Sequence, residues 1–298
     1  MGLSPRVYLA IAFAAACGSD PAAPDSMPDA APRCDPSTPF AAPVPVDGLN
    51  STLDDVSARL TPDELTVVLS RRQTTDVYDL FTASRDARDA AFGTPTLLAT
   101  VNSINSDVWP TLSPDGLTLM FDSDRGTPGT YRIYTSKRTT MTAPFATAMA
   151  VPELMTKDVN ASLANEHALY FNSIMRVGAG LADIWRVSVN PDGSLGTPAA
   201  LIGGVNSVDD DVTAALTQDE LRIFFRRTIA AEPDIFTASR STTNDGWGAA
   251  TPVPGLSVVG VNEVPTWISP DGCNLYLYSN ATGGTGGTDI YVARRGEP

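Results

Sequence analysis

The chain has 298 residues, with 20 Lys and Arg residues against 34 Asp and Glu residues, one His and three Cys. The formal net charge of −14 argues against a nucleic-acid-binding protein, because binding to phosphate needs a basic face. The single His argues against a metal site built from several His ligands and against a Ser-His-Asp triad.

The N-terminus has the features of an export signal. A ten-residue apolar run, Val7–Ala16, is too short to span a bilayer but is typical of a secretory signal. The sequence Ala14-Ala15-Ala16-Cys17 resembles the cleavage box of bacterial lipoproteins, in which the Cys receives a diacylglyceryl group and becomes the new N-terminus. We therefore predict a signal peptide over residues 1–16 and lipidation of Cys17. The alternative is an ordinary signal peptide with a Cys there by chance.

The next segment is predicted to be a lipidated spacer over residues 17–39. From Gly18 to Pro39 it contains six Pro and four Asp, so it cannot bury enough apolar surface to fold. By the rule known for enteric lipoproteins, Gly18 after the lipidated Cys suggests the outer membrane, with the protein facing the periplasm or the cell surface. Cys34 and Cys273 are the other two Cys, and in an oxidising compartment we expect them to form a disulfide.

The rest of the chain repeats one unit five times. A four-residue turn motif recurs with separations of 52, 51, 53 and 52 residues. Pro suits the first central position of a type I turn, and Asp and Gly suit the bend that follows. The copies are Thr61–Glu64, Ser113–Gly116, Ala164–His167, Thr217–Glu220 and Ser269–Gly272.

Each turn joins two short runs rich in Val, Leu, Phe and Tyr, which favour β-strands. A third such run begins 17–20 residues after the start of each turn motif, and a fourth follows, as at residues 92–98. Four antiparallel strands with a period near 50 residues indicate a propeller blade. The fifth copy ends after its third strand, and residues 40–46 match the pattern of a fourth. We therefore predict an all-β, five-bladed propeller over residues 40–298, in which the N-terminal strand completes the last blade.

The Ser-Pro-Asp-Gly turns of copies two and five, together with the Asp-Ile-aromatic third strands such as Asp183-Ile-Trp and Asp289-Ile-Tyr, resemble the TolB-like family of propeller repeats. The resemblance covers about residues 40–295. It is strongest in copies two and five and weakest in copy three, where Ala-Asn-Glu-His stands in place of the motif. The best-known member of the family has six blades and a preceding domain, whereas this chain has repeats for five blades. The resemblance implies a periplasmic or surface binding propeller.

One acidic residue recurs in all five copies, six residues before the turn motif. Its place at the entry to the innermost strand predicts a ring of carboxylates at one mouth of the channel. Such a ring could attract a cation, with Ca²⁺ as the expected ion, or a cationic ligand. Alternatively, each carboxylate accepts backbone N–H bonds and fixes its own loop, which we favour because repeat proteins reuse such ties. The five acids are Asp55, Asp107, Asp158, Asp211 and Glu263.

Two functions fit this sequence. The first is a non-catalytic binding or scaffold propeller, attached to the membrane through its lipid alone, with an envelope protein or a cell-wall component as its partner. The second is a glycan hydrolase that uses channel carboxylates. Near-equivalent acids in every blade favour the first, because a catalytic pair needs two acids in different environments. We expect a monomer without a cofactor, apart from the Ca²⁺ considered above.

Overall fold

The computed structural model describes residues 33–296, which contain twenty β-strands and no helix. The strands form five sheets of four antiparallel strands, which confirms the predicted five-bladed propeller. Blades one and two consist of β2 (Asp55–Leu60), β3 (Thr66–Thr74), β4 (Val77–Ser84), β5 (Thr96–Leu97), β6 (Asp107–Leu112), β7 (Thr118–Ser123), β8 (Arg132–Lys137) and β9 (Met149–Ala150). Blades three and four consist of β10 (Asp158–Asn165), β11 (Ala168–Ser173), β12 (Asp183–Ser188), β13 (Ala199–Ala200), β14 (Asp210–Leu216), β15 (Arg222–Ile229), β16 (Glu232–Ser239) and β17 (Thr251–Pro252).

The last blade is completed by the N-terminal strand, as predicted. Blade five consists of β18 (Glu263–Ile268), β19 (Asn274–Ser279), β20 (Asp289–Arg294) and β1 (Val44–Pro45). Strand β1 pairs antiparallel with β20, and Phe40 forms a further bridge with Arg295. The Phe40 ring also packs edge-on against Phe224 of blade four, with the ring centroids 5.7 Å apart. The two ends of the propeller sequence therefore meet in one sheet and close the ring.

The first strand of each blade lies innermost, and these five strands contact one another around the central channel. Each runs from one of the recurrent acids to one of the turn motifs. We call the channel mouth beside the acids the acid end and the opposite mouth the turn end. Because the strands alternate in direction, the loops into the innermost strands and the loops between second and third strands both lie at the acid end.

The hydrophobic core is divided into five clusters, one between each pair of neighbouring blades. Alternate residues of a strand point to opposite faces of its sheet, so each blade contributes to two clusters. Tyr170 and Phe225 meet between blades three and four, and Leu69 and Tyr276 meet between blades five and one. Within the described range no helix is long and apolar enough to cross a membrane.

The fourth strands are shorter than the sequence suggests. The predicted strand over residues 92–98 is reduced to Thr96–Leu97, and every outermost strand has two residues. Pro95 and Pro198 stand directly before two of these strands, and a Pro cannot donate a hydrogen bond to the ladder. The outer edge of the propeller therefore consists mostly of loops.

An Arg at the end of the third strand caps the turn motif in four blades. In blade one, Arg85 Nε donates to the Glu64 carbonyl at 2.8 Å, and its guanidinium lies 4.4 Å from the centroid of the Phe92 ring. The same arrangement joins Arg138 with Gly116 and Phe145, Arg240 with Glu220 and Trp247, and Arg295 with Gly272 and Phe40. These contacts hold the first turn of a blade against its own outer strand.

Residues 33–39 belong to the same compact unit as the propeller, so the predicted spacer ends before residue 39. Arg33 bonds to Asp271 and Glu64 at 2.6 and 2.5 Å. Cys34 and Cys273 are joined by a disulfide, with their Cα atoms 5.7 Å apart. Composition alone cannot show this attachment, because it rests on the disulfide and on specific polar contacts made by Arg33 and by the Pro36 carbonyl. The predicted signal peptide and Cys17 lie outside the described residues.

Candidate functional site at the acid end

Four of the five recurrent acids are fully buried and have hydrogen-bond partners on both carboxylate oxygens. In blade one, Asp55 Oδ2 accepts bonds from the N–H and the hydroxyl of Ser51 at 2.6 and 2.7 Å, and Oδ1 accepts one from Arg71 Nε at 2.5 Å. The equivalent sets are Asp107 with Ser103 and Arg125, Asp158 with Met155 and Arg176, and Asp211 with Ser207 and Arg227. Each set fixes the loop before an innermost strand to the end of the second strand.

Further bonds make these loops rigid. Arg71 also donates to the Leu49 carbonyl at 2.8 Å, and Arg227 donates to the Val205 carbonyl at 2.7 Å. The Oδ1 atom of Asn102 accepts a hydrogen bond from the Leu80 N–H at 2.8 Å, and its Nδ2 atom donates one to the Leu80 carbonyl at 3.0 Å. Asn50 does the same with Ile290, and Asn206 does the same with Ile184. The repeat predicts the acids but not the Asn, Ser and Arg that surround them, although Asn-Ser precedes the acid in three repeats.

The charge environment of these acids does not favour a cation site. Within residues 33–296 no group of three or more His, Cys, Asp or Glu side chains is arranged to hold a metal ion. Burial raises the pKa of Asp55 and of Asp211, while the bonds from Ser and Arg act in the opposite direction. The four carboxylates are separate, each with its own Arg partner, because each belongs to a different blade junction.

Glu263, the acid of blade five, differs from the other four. It is only 4% exposed, yet no Arg among residues 33–296 contacts it, because Ser279 and Ala281 occupy the positions that hold the Arg in the other blades. Its Oε2 atom is buried and has no hydrogen-bond partner in the described chain. Burial raises its pKa to about 7, and the neighbouring Asp234 acts in the same direction. A buried carboxyl without a cationic partner is therefore half-protonated near neutral pH.

A second repeated contact, which was not predicted from the sequence, joins neighbouring blades around the channel. Two residues after the acid, the innermost strand bulges, and in blades one to four the bulge residue has a positive φ of 52–58°. In blades two to four its N–H donates to the side chain of the fifth residue of the second strand in the preceding blade. The bonds run from Trp109 to Ser70 at 3.1 Å, from Asn160 to Asp122 at 2.7 Å and from Thr213 to Asn172 at 3.3 Å. Three of the five blade junctions thus share one contact.

The two junctions that involve blade five lack this contact. Pro265 occupies the bulge position of blade five and has no N–H to donate, and Arg226, which is not an acceptor, stands opposite in blade four. At the next junction Tyr278 stands opposite Ser57, whose hydroxyl is buried without a partner in the described chain. The repeat is therefore broken on both sides of one blade.

The interior of the channel is closed by Arg59. Its guanidinium crosses the channel from blade one to the Ser162 hydroxyl at 2.6 Å and to the Ala214 carbonyl at 3.4 Å. Asp122 lies near it, fully buried, with Oδ1 unpartnered, and burial raises its pKa well above the ordinary value. A cavity of about 30 Å³ beside Arg59 at the turn end has room for about one water molecule. The Arg59 side chain therefore crosses the channel between its two mouths.

The outer surface of the acid end carries a set of exposed aliphatic side chains, one from the loop before each innermost strand. Their exposed fractions are 42% for Leu53, 95% for Ile104, 47% for Met155, 79% for Val208 and 90% for Val259. We call these five residues the aliphatic crown. The loop between the second and third strands of blade three adds Ile174, Met175, Val177 and Leu181 on the same side.

The sole His is not part of this face. His167 is exposed in the third turn motif, and its N–H donates to the Asn165 side chain at 2.9 Å. It lies beside a groove of about 700 Å³ between blades two and three. The sole His and this groove therefore lie at the turn end, away from the aliphatic crown.

Comparisons with known proteins agree on the fold. No protein-family model matches the chain, and no curated protein matches its sequence. A GH43_1 enzyme from Xanthomonas citri, in complex with xylotriose, has a TM-score of 0.62 and 13% identity over 85% of this chain and 90% of that one. An α-L-arabinofuranosidase from Podospora anserina, in complex with cellotriose, has a TM-score of 0.55 and 11% identity over 89% of this chain and 99% of that one. TolB from Acinetobacter baumannii has a TM-score of 0.48 and 17% identity over 82% of this chain. The present chain spans 56% of that protein's length.

Proposed function

We propose that this protein is an exported, lipid-anchored binding propeller of the outer membrane that docks a protein partner on its acid end without catalysing a reaction. The aliphatic crown is the observation that carries the proposal. Apolar side chains held on rigid loops around one face are typical of a protein-binding surface. The buried carboxylates then have an indirect role, since they fix the loops that present the crown.

The charges around the crown suggest the chemistry of the partner. Asp76, Asp209, Asp210 and Glu232 lie at the acid end, and none forms an ion pair within residues 33–296. An anionic bilayer would be repelled by such a rim, whereas a protein with an apolar centre and basic neighbours would be attracted. The partner is therefore expected to carry Lys or Arg next to aliphatic side chains.

The described chain begins at the turn end. Arg33 and Cys34 lie beside Asp271 and Cys273 of the fifth turn motif, at the turn end. A spacer that carries a lipid on Cys17 would thus join the propeller at the turn end. Mass spectrometry of the membrane-extracted protein tests the anchor: a lipidated Cys17 at the mature N-terminus supports it, and a soluble protein with a free Cys17 thiol contradicts it.

Site-specific photocrosslinking tests the docking face. A photoreactive residue at position 104 should crosslink one envelope protein, which is then identified and purified, while the same residue at position 149 serves as a control. Met149 is also an exposed apolar residue, at 69% exposure, but it lies on an outermost strand. Binding of the purified partner should be lost in an I104S/V208S/V259S variant and kept in M149S. Equal binding by both variants would contradict docking through the crown.

Glycan hydrolysis is the second candidate, and one observation favours it. Asp122 and Glu263 are carboxyls without Arg partners in the described chain, and burial raises the pKa of both, as expected for a general acid. The two solved structures with TM-scores above 0.5 reported above are glycosidases. However, Asp122 and Glu263 are 0% and 4% exposed, so a substrate would first have to reach them. Release of sugar from arabinoxylan or aryl glycosides by the wild type, lost in Asp122→Asn, would establish hydrolysis and overturn the non-catalytic proposal.

A further inference from the structure

The turn end of blade three departs from the repeat. In the other four blades an Arg at the end of the third strand stacks on an aromatic ring that precedes the fourth strand, at 4.0–4.5 Å from the ring centroid. Blade three has Val189 and Leu195 at these two positions. The backbone bonds fix this equivalence, because the N–H of Val189 donates to the His167 carbonyl just as the N–H of Arg85 donates to the Leu65 carbonyl.

The groove of about 700 Å³ between blades two and three lies at this departure. In the other four blades the aromatic ring packs into the core between its own blade and the preceding one, as Phe145 and Trp247 do. Leu195 occupies the matching place between blades two and three and lines the groove together with Val189. Two smaller side chains thus replace a guanidinium and a ring, and the space beside them has the volume of a small-molecule site.

The wall that blade two contributes to the groove holds an unsatisfied polar group. Met120 of β7 pairs with Thr135 of β8, and both line the groove. The equivalent Thr82 and Thr237 each donate from the side-chain hydroxyl to a backbone carbonyl at 2.9 Å. The hydroxyl of Thr135 is enclosed in the wall and has no partner in the described chain. The fold therefore does not complete this wall as it completes the same face of blades one and four.

Acidic groups predominate at the rim of the groove. Glu153 and Glu166 are exposed, and neither forms an ion pair within residues 33–296. Glu153 Oε1 lies 3.5 Å from the backbone N of Leu195, so this carboxylate stands beside the position of the missing aromatic ring. The acids outnumber the bases by two even when the His is protonated, and such a rim attracts a cation. The charged and titratable residues of the lining are Asp115, Glu153, Glu166, Asp192, Lys137 and His167.

We propose that this groove binds an arylalkylamine, a small organic cation with an aromatic body. The ring lies against Met120, Val189 and Leu195, and the ammonium group lies at the rim beside Glu153. Such a ligand supplies the two groups that blade three lacks, because the stack in the other blades is itself a cation on an aromatic ring. The groove lies away from the aliphatic crown, so this inference is independent of the proposed docking of a protein partner.

Calorimetric titration of the intact protein with tryptamine and with indole-3-propionate tests the charge of the ligand. The two probes share one ring system and carry opposite charges at pH 7. Tryptamine should bind at least about fivefold more tightly, because its ammonium group is attracted to the rim that repels the propionate. E153Q/E166Q should weaken tryptamine binding by about three- to tenfold. D86N/D89N removes two exposed acids from a loop of blade one and, as the matched control, should bind like the wild type.

A second variant tests the place of the ring by restoring the repeat. V189R/L195F gives blade three the Arg and the aromatic residue of the other blades, so it should fill the groove and weaken tryptamine binding by at least about tenfold, without a lower melting temperature. Leu195→Phe alone should weaken binding by a smaller factor. The Glu variants change only exposed side chains, so they test the site independently of this repacking.

Three results would overturn the inference. The first is tighter binding of indole-3-propionate than of tryptamine, which would exclude a cationic ligand. The second is equal tryptamine affinity of the wild type and a folded V189R/L195F variant, which would place any binding outside the groove. The third is the absence of tryptamine binding by the folded wild type. Crosslinking from position 104 tests the opposite face, so its failure would contradict the docking proposal and leave the groove site standing.

Discussion

Replacement of Glu263 by Gln should remove a specific pH dependence from the stability of the propeller. Glu263 is 4% exposed, has one oxygen without a partner in the described chain and has a pKa of about 7 in the folded protein. In the unfolded chain its pKa returns to the ordinary value of 4.5. Gln has nearly the same shape as the protonated Glu but no charge at any pH, so it isolates the effect of ionisation.

The sign and size follow from proton linkage. Between pH 4.5 and about pH 7 the folded state holds the proton on Glu263 more strongly than the unfolded state does, so the free energy of unfolding falls as the pH rises through this window. The interval between 4.5 and about 7, at about 1.4 kcal/mol for each pH unit, gives a loss of up to about 3 kcal/mol. The loss is complete above pH 7. E263Q should therefore match the wild type near pH 4.5 and be up to about 3 kcal/mol more stable at pH 8.

Urea denaturation of both proteins at pH 5, 6, 7 and 8 measures this difference. Burial also raises the pKa of Asp55, Asp122 and Asp211, so the absolute stability of each protein has further pH dependence. Those contributions are common to both proteins and cancel in the difference between them. A difference that stays constant from pH 5 to pH 8 would show that Glu263 is ionised in the folded protein and would refute the argument.

Three further predictions concern the contacts that hold the ring. Asp211→Asn should lower the free energy of unfolding at pH 7 by about 3 kcal/mol, since it leaves Arg227 buried without its anion. Ca²⁺ should not shift the wild-type melting temperature. A shift that grows with the Ca²⁺ concentration would instead support an ion site. A chain that starts at Asp47 should melt well below a full-length Cys34→Ser variant, because it also lacks the strand that closes blade five; equal melting would show that this strand is dispensable. Loss of the bond between Cys34 and Cys273, which closes a loop with a sequence separation of 239 residues, should cost about 3–5 kcal/mol, and thiol labelling of the native protein should find neither Cys.

Much of the fold was predictable because it repeats. A turn motif with a period near 52 residues indicates the blade and its first hairpin from local chemistry alone. The count of strands after the fifth motif then requires an N-terminal strand to complete the last blade, and β1 pairs with β20 as expected. The short length of the outermost strands was not predicted. The sequence shows where strand-forming residues lie, but not how many of them pair with the third strand.

The recurrent acids show where prediction from the sequence stops. Superposed repeats place Asp55 and its equivalents at one mouth of the channel, but they do not reveal what each carboxylate contacts. The Arg partners stand at variable positions, 16 residues after Asp55 and Asp211 and 18 after Asp107 and Asp158. A period search therefore does not align them, although they share one function in the structure.

The sequence by itself determined the repeat, the number of blades and the way the ring closes, because these follow from local turn chemistry and from periodicity. Only the tertiary structure decided which carboxylates are neutralised and which blade departs from the pattern. Glu263, Arg226 and Tyr278 look like ordinary members of their repeats until the neighbouring blade is placed beside them. Their charge state and their free hydrogen-bonding groups depend on burial and on partners that are distant in the chain, and no local pattern contains that information.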